Sequence, residues 1–156
     1  MEFPSQITIT SPLSGYCIPL QLIKDPVFAD EILGKGIAIV PSDGKVFAPE
    51  DGLVTTLLST GHAIGLQLKN GVELLIHVGV DTVSLNGIHF TKHVKQGQKV
   101  NKGDLLIEAD LEKIQDAGYD TITPVIVCNS DQFSSVEGIT RQIATLESKL
   151  IYIVQS

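Results

Sequence analysis

Thr60, His62, His77 and Asp81 sit on two apolar runs joined by Asn70-Gly71, within the stretch Thr60-Gly61-His62-Ala63-Ile64 to Ile76-His77-Val78-Gly79-Val80-Asp81. An Asn-Gly pair between apolar runs is a strong hairpin signal, because both residues tolerate the positive φ of a tight turn. With Asn70-Gly71 as a two-residue turn, Lys69 faces Val72. Continuing the ladder sets Ile64 opposite His77, His62 opposite Gly79 and Thr60 opposite Asp81. Directly opposed residues share a face of the sheet. His62 and His77 then become diagonal neighbours, with Thr60, Gly79 and Asp81 beside them and Leu66, Leu68 and Leu75 on the same face. A longer turn would break this pattern, since a slip of one residue reverses the faces of one strand.

Two imidazoles with a hydroxyl and a carboxylate suit three kinds of chemistry: a metal site, general acid–base catalysis, or a histidine that is itself the nucleophile. A catalytic zinc generally takes three protein ligands, and this face offers two histidines and one carboxylate. No Gly-x-Ser-x-Gly motif supplies a serine nucleophile. Either imidazole could equally be a half-buried core residue among the leucines. The pattern alone leaves these alternatives open.

The elements that must carry the cluster read as strands. Short apolar runs recur at Ile7-Thr8-Ile9, Ile37 to Val40, Lys45 to Ala48, Leu53 to Leu57, Ala63 to Leu68, Val72 to Val80, Leu105 to Ala109, Thr123 to Cys128 and Leu150 to Val154. Turn pairs at Asp43-Gly44, Asp51-Gly52, Asn70-Gly71 and Asn86-Gly87 point to hairpins with positive φ. The fold class is therefore all-β, an antiparallel sandwich or barrel with short peripheral helical turns. Asp110 caps one short helix through Ala117, Pro26 to Leu33 allows another, and Ser130 to Arg141 reads as a loop with a short helix.

Composition bounds the rest. The 156 residues are 43% hydrophobic and 19% charged, which suits one domain over residues 1–156 with a real core. A net charge of −7 without any basic run argues against nucleic acid and for a basic partner surface. No stretch reaches the ~20 apolar residues of a membrane span, and the first residues lack signal-peptide features, so a cytoplasmic protein that is not membrane-embedded is expected. Cys17 and Cys128 read as buried reduced thiols, and His89 and His93 as surface residues.

The run Val72 to Val83 with Thr60-Gly61-His62-Ala63 closely resembles the glucose-type IIA domain of the bacterial phosphoenolpyruvate:sugar phosphotransferase system. The likeness extends through Asp25 to Asp30, Gly34 to Ala38, Leu85-Asn86-Gly87, Lys102-Gly103-Asp104 and Thr121 to Val125. It implies an antiparallel β-sandwich that carries phosphoryl groups. His77 would be phosphorylated on Nε2 by the phosphocarrier protein HPr, with His62 as the second active-site histidine. The group would then pass to a cysteine of a IIB domain of a sugar permease. The resemblance also implies that the Gly79 carbonyl ties His77 Nδ1 and that Thr60 orients His62. Asp81 and Asp25 would meet basic residues of HPr, beside an apolar patch of Phe28, Ile32 and Val83. Neither a cofactor nor a resident metal is expected.

Two other classes share features with the chain. A lysostaphin-type zinc hydrolase has a related duplicated β fold, but its His-x-His ligand pattern is broken here at His77-Val78-Gly79. A biotinyl or lipoyl carrier has similar glycine-turn hairpins, but no lysine at a hairpin tip stands in a Met-Lys-Met or Asp-Lys-Ala context.

Overall fold

Val, Ile and Leu dominate the apolar runs, and β-branched side chains favour a pleated, half-buried surface. The computed structural model describes residues 5–155. Residues 1–4, read above for signal-peptide features, lie outside the described residues. Fourteen strands, two short α-helices and three short 3-10 turns are present among the described residues. In chain order the strands and α-helices are β1 (Gln6–Thr10), β2 (Gly15–Pro19), α1 (Pro26–Ala29), β3 (Lys35–Pro41), β4 (Lys45–Phe47), β5 (Gly52–Leu57), β6 (Ala63–Leu68), β7 (Glu73–His77) and β8 (Phe90–Lys92). There follow β9 (Lys99–Val100), β10 (Leu105–Ala109), α2 (Leu111–Asp116), β11 (Thr123–Val127), β12 (Ser135–Gly138), β13 (Ile143–Ala144) and β14 (Lys149–Val154).

An eight-stranded sheet runs β13-β2-β3-β11-β7-β6-β5-β9, and two three-stranded sheets run β1-β14-β12 and β4-β10-β8. Their ladders are antiparallel. One continuous core joins all three: Ile37, Ile64, Ile76 and Val125 from the large sheet, Ile9, Ile151 and Ile153 from the second, and Val46, Leu106 and Ile107 from the third. The all-β antiparallel sandwich expected from the sequence is the observed fold. On the opposite face of the large sheet a smaller cluster of Leu20, Ile23, Phe28, Ala38, Ile122 and Ile126 is covered by the segment around α1. Asp25 caps α1 through Val27 N, and Asp110 caps α2 through Lys113 N, as side-chain acceptors do for the unpaired donors of a first turn.

The β6–β7 register differs from the two-residue-turn expectation by one. Ala63, not Ile64, faces His77, and Leu66 faces Leu74. The connection is a three-residue loop, Lys69-Asn70-Gly71, with Leu68 N donating to Val72 O and Gly71 at φ 91°. Longer loops with a left-handed glycine are the next common hairpin type. Leu66 and Leu68 consequently turn into the core with Ile64, away from the His77 face, and only Leu75 stays with His77. The expected His62–Gly79 and Thr60–Asp81 pairs do not form, since β6 begins at Ala63 and β7 ends at His77.

Other expectations change as well. Gly44 and Gly52 do not adopt positive φ; a Cβ at Gly52 would lie 2.5 Å from Gln67 O, so close backbone approach is what requires glycine there. Ser130 to Arg141 holds the expected short helical turn, at Ser130–Gln132, but its remainder includes β12, paired with β14. Cys17 is buried with its thiol pushed up to about 11 by desolvation, whereas Cys128 is exposed beyond the end of β11. His93 is exposed, as read, and His89 is half-buried. None of the helices is long and apolar enough to cross a membrane.

Candidate active site

The site forms where β7 runs out. Along β7, Leu74 and Ile76 point into the core, and His77 points to the other face, half-buried. Its ring packs against Phe28 at 5.0 Å between centroids and against His62 at 4.8 Å, nearly perpendicular at 80°. His77 Nδ1 donates to the carbonyl of Gly79 at 2.7 Å. A carbonyl can only accept, so the neutral ring carries its proton on Nδ1, and Nε2 presents a lone pair. Burial pulls the His77 pKa below its ordinary value; the Gly79 carbonyl and the carboxylates of Asp25 and Asp81 act in the opposite direction.

Gly79 must be glycine for two reasons. Its φ is 85°, and a Cβ would run into the Thr82 methyl and lie 2.8 Å from Asp120 O. Gly79→Ala is expected to cost about 1–3 kcal/mol of stability through strain at this turn and to disturb the bond to His77. A denaturant midpoint unchanged from the parent chain would contradict that expectation.

His62 is reached by a different route. Gly61, at φ 71°, breaks the extended chain just before β6, which frees His62 from the pleat alternation. The His62 carbonyl still accepts from Val78 N at 2.7 Å, and its ring turns across to His77. The residue is only 2% exposed, with the Phe90 ring centroid 6.3 Å from its own. The Thr60 hydroxyl lies 2.5 Å from His62 Nδ1. With Thr60 as donor, His62 carries its proton on Nε2 and can offer it to an anion. Burial, and secondarily the neighbouring His77, lower the His62 pKa to about 4. His62 therefore stays neutral at pH 7.

That depression has a sign. Between pH 6.5 and 4 the unfolded chain binds a proton at His62 that the folded chain does not, so stability falls as pH drops through this window. The His62 imidazole should titrate near pH 4 in an NMR titration, and chemical denaturation midpoints should decline from pH 6.5 downward. Titration of His62 at its ordinary 6.5 would overturn this account of the site.

The structure brings together Thr60, His62, His77 and Gly79. Asp81 is exposed at φ 60° on the turn after β7 and is joined to the cluster only through its charge. Asp25 acts on His77 in the same way while capping α1. Ile32 and Val83 are 67% and 52% exposed, as a partner patch requires, but Phe28 is buried and serves as a wall for His77 rather than as free surface. Sequence reasoning missed Phe90 and Thr82, and also Leu58 and Ile88, exposed apolar residues flanking the Thr60 segment. The available signal for the last two was an apolar side chain placed in a turn. Among the described residues no three His, Cys, Asp or Glu side chains come together in a metal-holding group.

Known proteins share this arrangement of chain. The profile of the family described as phosphoenolpyruvate-dependent sugar phosphotransferase system, EIIA 1, matches residues 7–133. A glucose-specific EIIA component of the phosphotransferase system (PTS) from Oceanobacillus iheyensis is 39% identical over 152 residues, covering 97% of this chain and 92% of that protein. A PTS β-glucoside-specific EIIBCA component of Bacillus subtilis is 52% identical over 130 residues, 83% of this chain. The chain spans about a fifth of the length of such EIIBCA relatives, 21% in that case. The glucose permease IIA of Mycoplasma capricolum has the same fold, with a TM-score of 0.82 at 32% identity over 97% of this chain and 99% of that one. Similar along nearly its whole length both to a separate EIIA component and to a solved IIA structure, this chain belongs to the EIIA 1 family of the phosphoenolpyruvate-dependent sugar phosphotransferase system.

Proposed function

We propose that this chain is a phosphocarrier that accepts a phosphoryl group from phospho-HPr on His77 Nε2 and passes it to a cysteine of a IIB domain during sugar uptake. The observation that carries the reading is the 2.7 Å bond from His77 Nδ1 to the Gly79 carbonyl, which favours the Nδ1–H tautomer and so supports Nε2 as the nucleophile. In the first step the P–N bond to the HPr histidine breaks as the bond to His77 Nε2 forms. Nδ1 keeps its proton, and the positive charge of the phosphorylated ring is held by the carbonyl. In the second step the P–Nε2 bond breaks, a P–S bond forms, and His77 returns to the neutral Nδ1–H form.

Phosphoryl transfer passes through a loose transition state that needs in-line positioning and hydrogen bonds to three equatorial oxygens. On this reading His62 Nε2–H supplies one of these, a role supported by the contact of its Nδ1 with the Thr60 hydroxyl. No cofactor is required. A net charge of −7 with exposed Asp81 and half-buried Asp25 at the rim favours a basic donor protein, and Ile32 and Val83 offer the apolar contact around which such interfaces form. A IIB partner accords with the EIIBCA composition of the relatives. The reading includes a cytoplasmic location, where phosphoenolpyruvate supplies the group. Incubation with phosphoenolpyruvate, enzyme I and HPr should add one acid-labile phosphoryl group at His77; an unchanged intact mass would sink the proposal.

A further inference from the structure

We propose that Thr82 is a positioning residue for phosphoryl transfer: its buried hydroxyl holds the turn after β7 in the backbone conformation that aims the Gly79 carbonyl at His77 Nδ1. The inference rests on the relay reading of His77 and deepens it.

Thr82 is fully buried, and its Oγ1 donates to the Val78 carbonyl at 2.6 Å, reaching back four residues across the turn. That carbonyl belongs to the peptide plane joining Val78 to Gly79, so holding it limits rotation about the N–Cα bond of Gly79, set at φ 85°. The Thr82 methyl occupies the space where a Gly79 Cβ would lie. On the far side of the same turn Val80 N donates to Asp120 O at 3.0 Å, and Asp120 is itself fixed where its Oδ1 accepts from Ile122 N at 2.9 Å. Gly79 is thus suspended between two anchors, and its carbonyl has one direction left, toward His77. Asp81, next to Thr82 on the same turn, lies at φ 60°, in the left-handed region that is uncommon for residues other than glycine.

The chemistry of the ring makes this alignment matter. The tautomer of a histidine is set by the hydrogen bond its other nitrogen makes. If the Gly79 carbonyl swings away, the proton is free to move to Nε2, and a protonated Nε2 cannot attack phosphorus. Deleting the Thr82 hydroxyl should therefore change which nitrogen of His77 carries the proton. A merely structural hydroxyl would lower stability and leave the tautomer alone.

Thr82→Val removes the hydroxyl at nearly constant volume, and Thr82→Ser keeps it. Nitrogen NMR of 15N-imidazole-labelled chain, without any partner protein, reads the His77 tautomer directly. In Thr82→Val a clear Nε2–H population should appear, and acceptance from phospho-HPr should slow by about tenfold, in line with the cost of small misplacements of reacting groups. Thr82→Ser should restore the Nδ1–H form and bring the rate within about twofold of the parent. A folded Thr82→Val chain with His77 still wholly in the Nδ1–H form overturns the proposal, as does loss of that form in Thr82→Ser. Thr82→Ala provides the same hydroxyl deletion if the valine variant does not fold. A parent chain that takes no phosphoryl group while Thr82→Val still shifts the tautomer would sink the relay reading and leave the positioning role standing.

Discussion

His77→Ala is expected to abolish phosphoryl acceptance from phospho-HPr, with the acid-labile mass gain falling from one group per chain to none. The site holds one other imidazole, and the question is whether His62 could replace His77. Its Nδ1 faces the Thr60 hydroxyl at 2.5 Å, so the free nitrogen is Nε2, which bears the proton when Thr60 donates. A protonated Nε2 has no lone pair to offer. His62 is also only 2% exposed, with the Phe90 ring nearby, so it is far less accessible to a donor protein than a surface imidazole. Removing the nucleophile outright leaves no secondary route, and such losses in covalent catalysis are commonly several orders of magnitude. The measurement is intact mass after the complete relay, with His62→Ala run alongside. Residual phosphorylation of the His77→Ala chain at His62 would show that the tautomer assignment is wrong.

The cluster was legible in the sequence by a route that was partly incorrect. Reading Asn70-Gly71 as a two-residue turn put His62 and His77 on one face by parity. The actual three-residue loop shifts the ladder by one, so an unbroken β6 would have turned His62 toward the core beside Ile64. What rescues the site is Gly61 at φ 71°, which ends the pleat before His62. Parity arguments hold only inside a ladder, and catalytic residues often lie just beyond one, where loops are positioned by a rigid scaffold. The strands were visible because short apolar runs bounded by turn residues are a local property. The weakly apolar β12, the three-residue β8 and the two-residue β13 were not, because pairing with other strands rather than their own composition makes them strands. Phe28 shows the same limit: exposed and buried phenylalanines look alike in a sequence, and only the packing of α1 on the sheet decides that this ring backs His77.

His62→Gln should separate the two transfers, leaving acceptance within about tenfold of the parent and slowing release to the IIB cysteine by at least about a hundredfold. In the first step a neutral imidazole attacks the phosphoryl group, so no new charge repulsion arises, and a glutamine amide can replace His62 Nε2–H as a hydrogen-bond donor. In the second step an anionic thiolate approaches a phosphoryl group that already carries negative charge. That encounter is repulsive in a site partly closed to water, where screening is weak. His62 is neutral in the free chain, held near pKa 4 by burial and by His77. A phosphoryl group on His77 Nε2, facing His62 across 4.8 Å between ring centroids, places negative charge beside it and raises its affinity for a proton. His62 can then become cationic when the thiolate arrives, as an amide cannot. Rapid-quench single-turnover measurements of each half-reaction resolve the two rates, and equal losses in both would mean that His62 acts only as a hydrogen-bond donor.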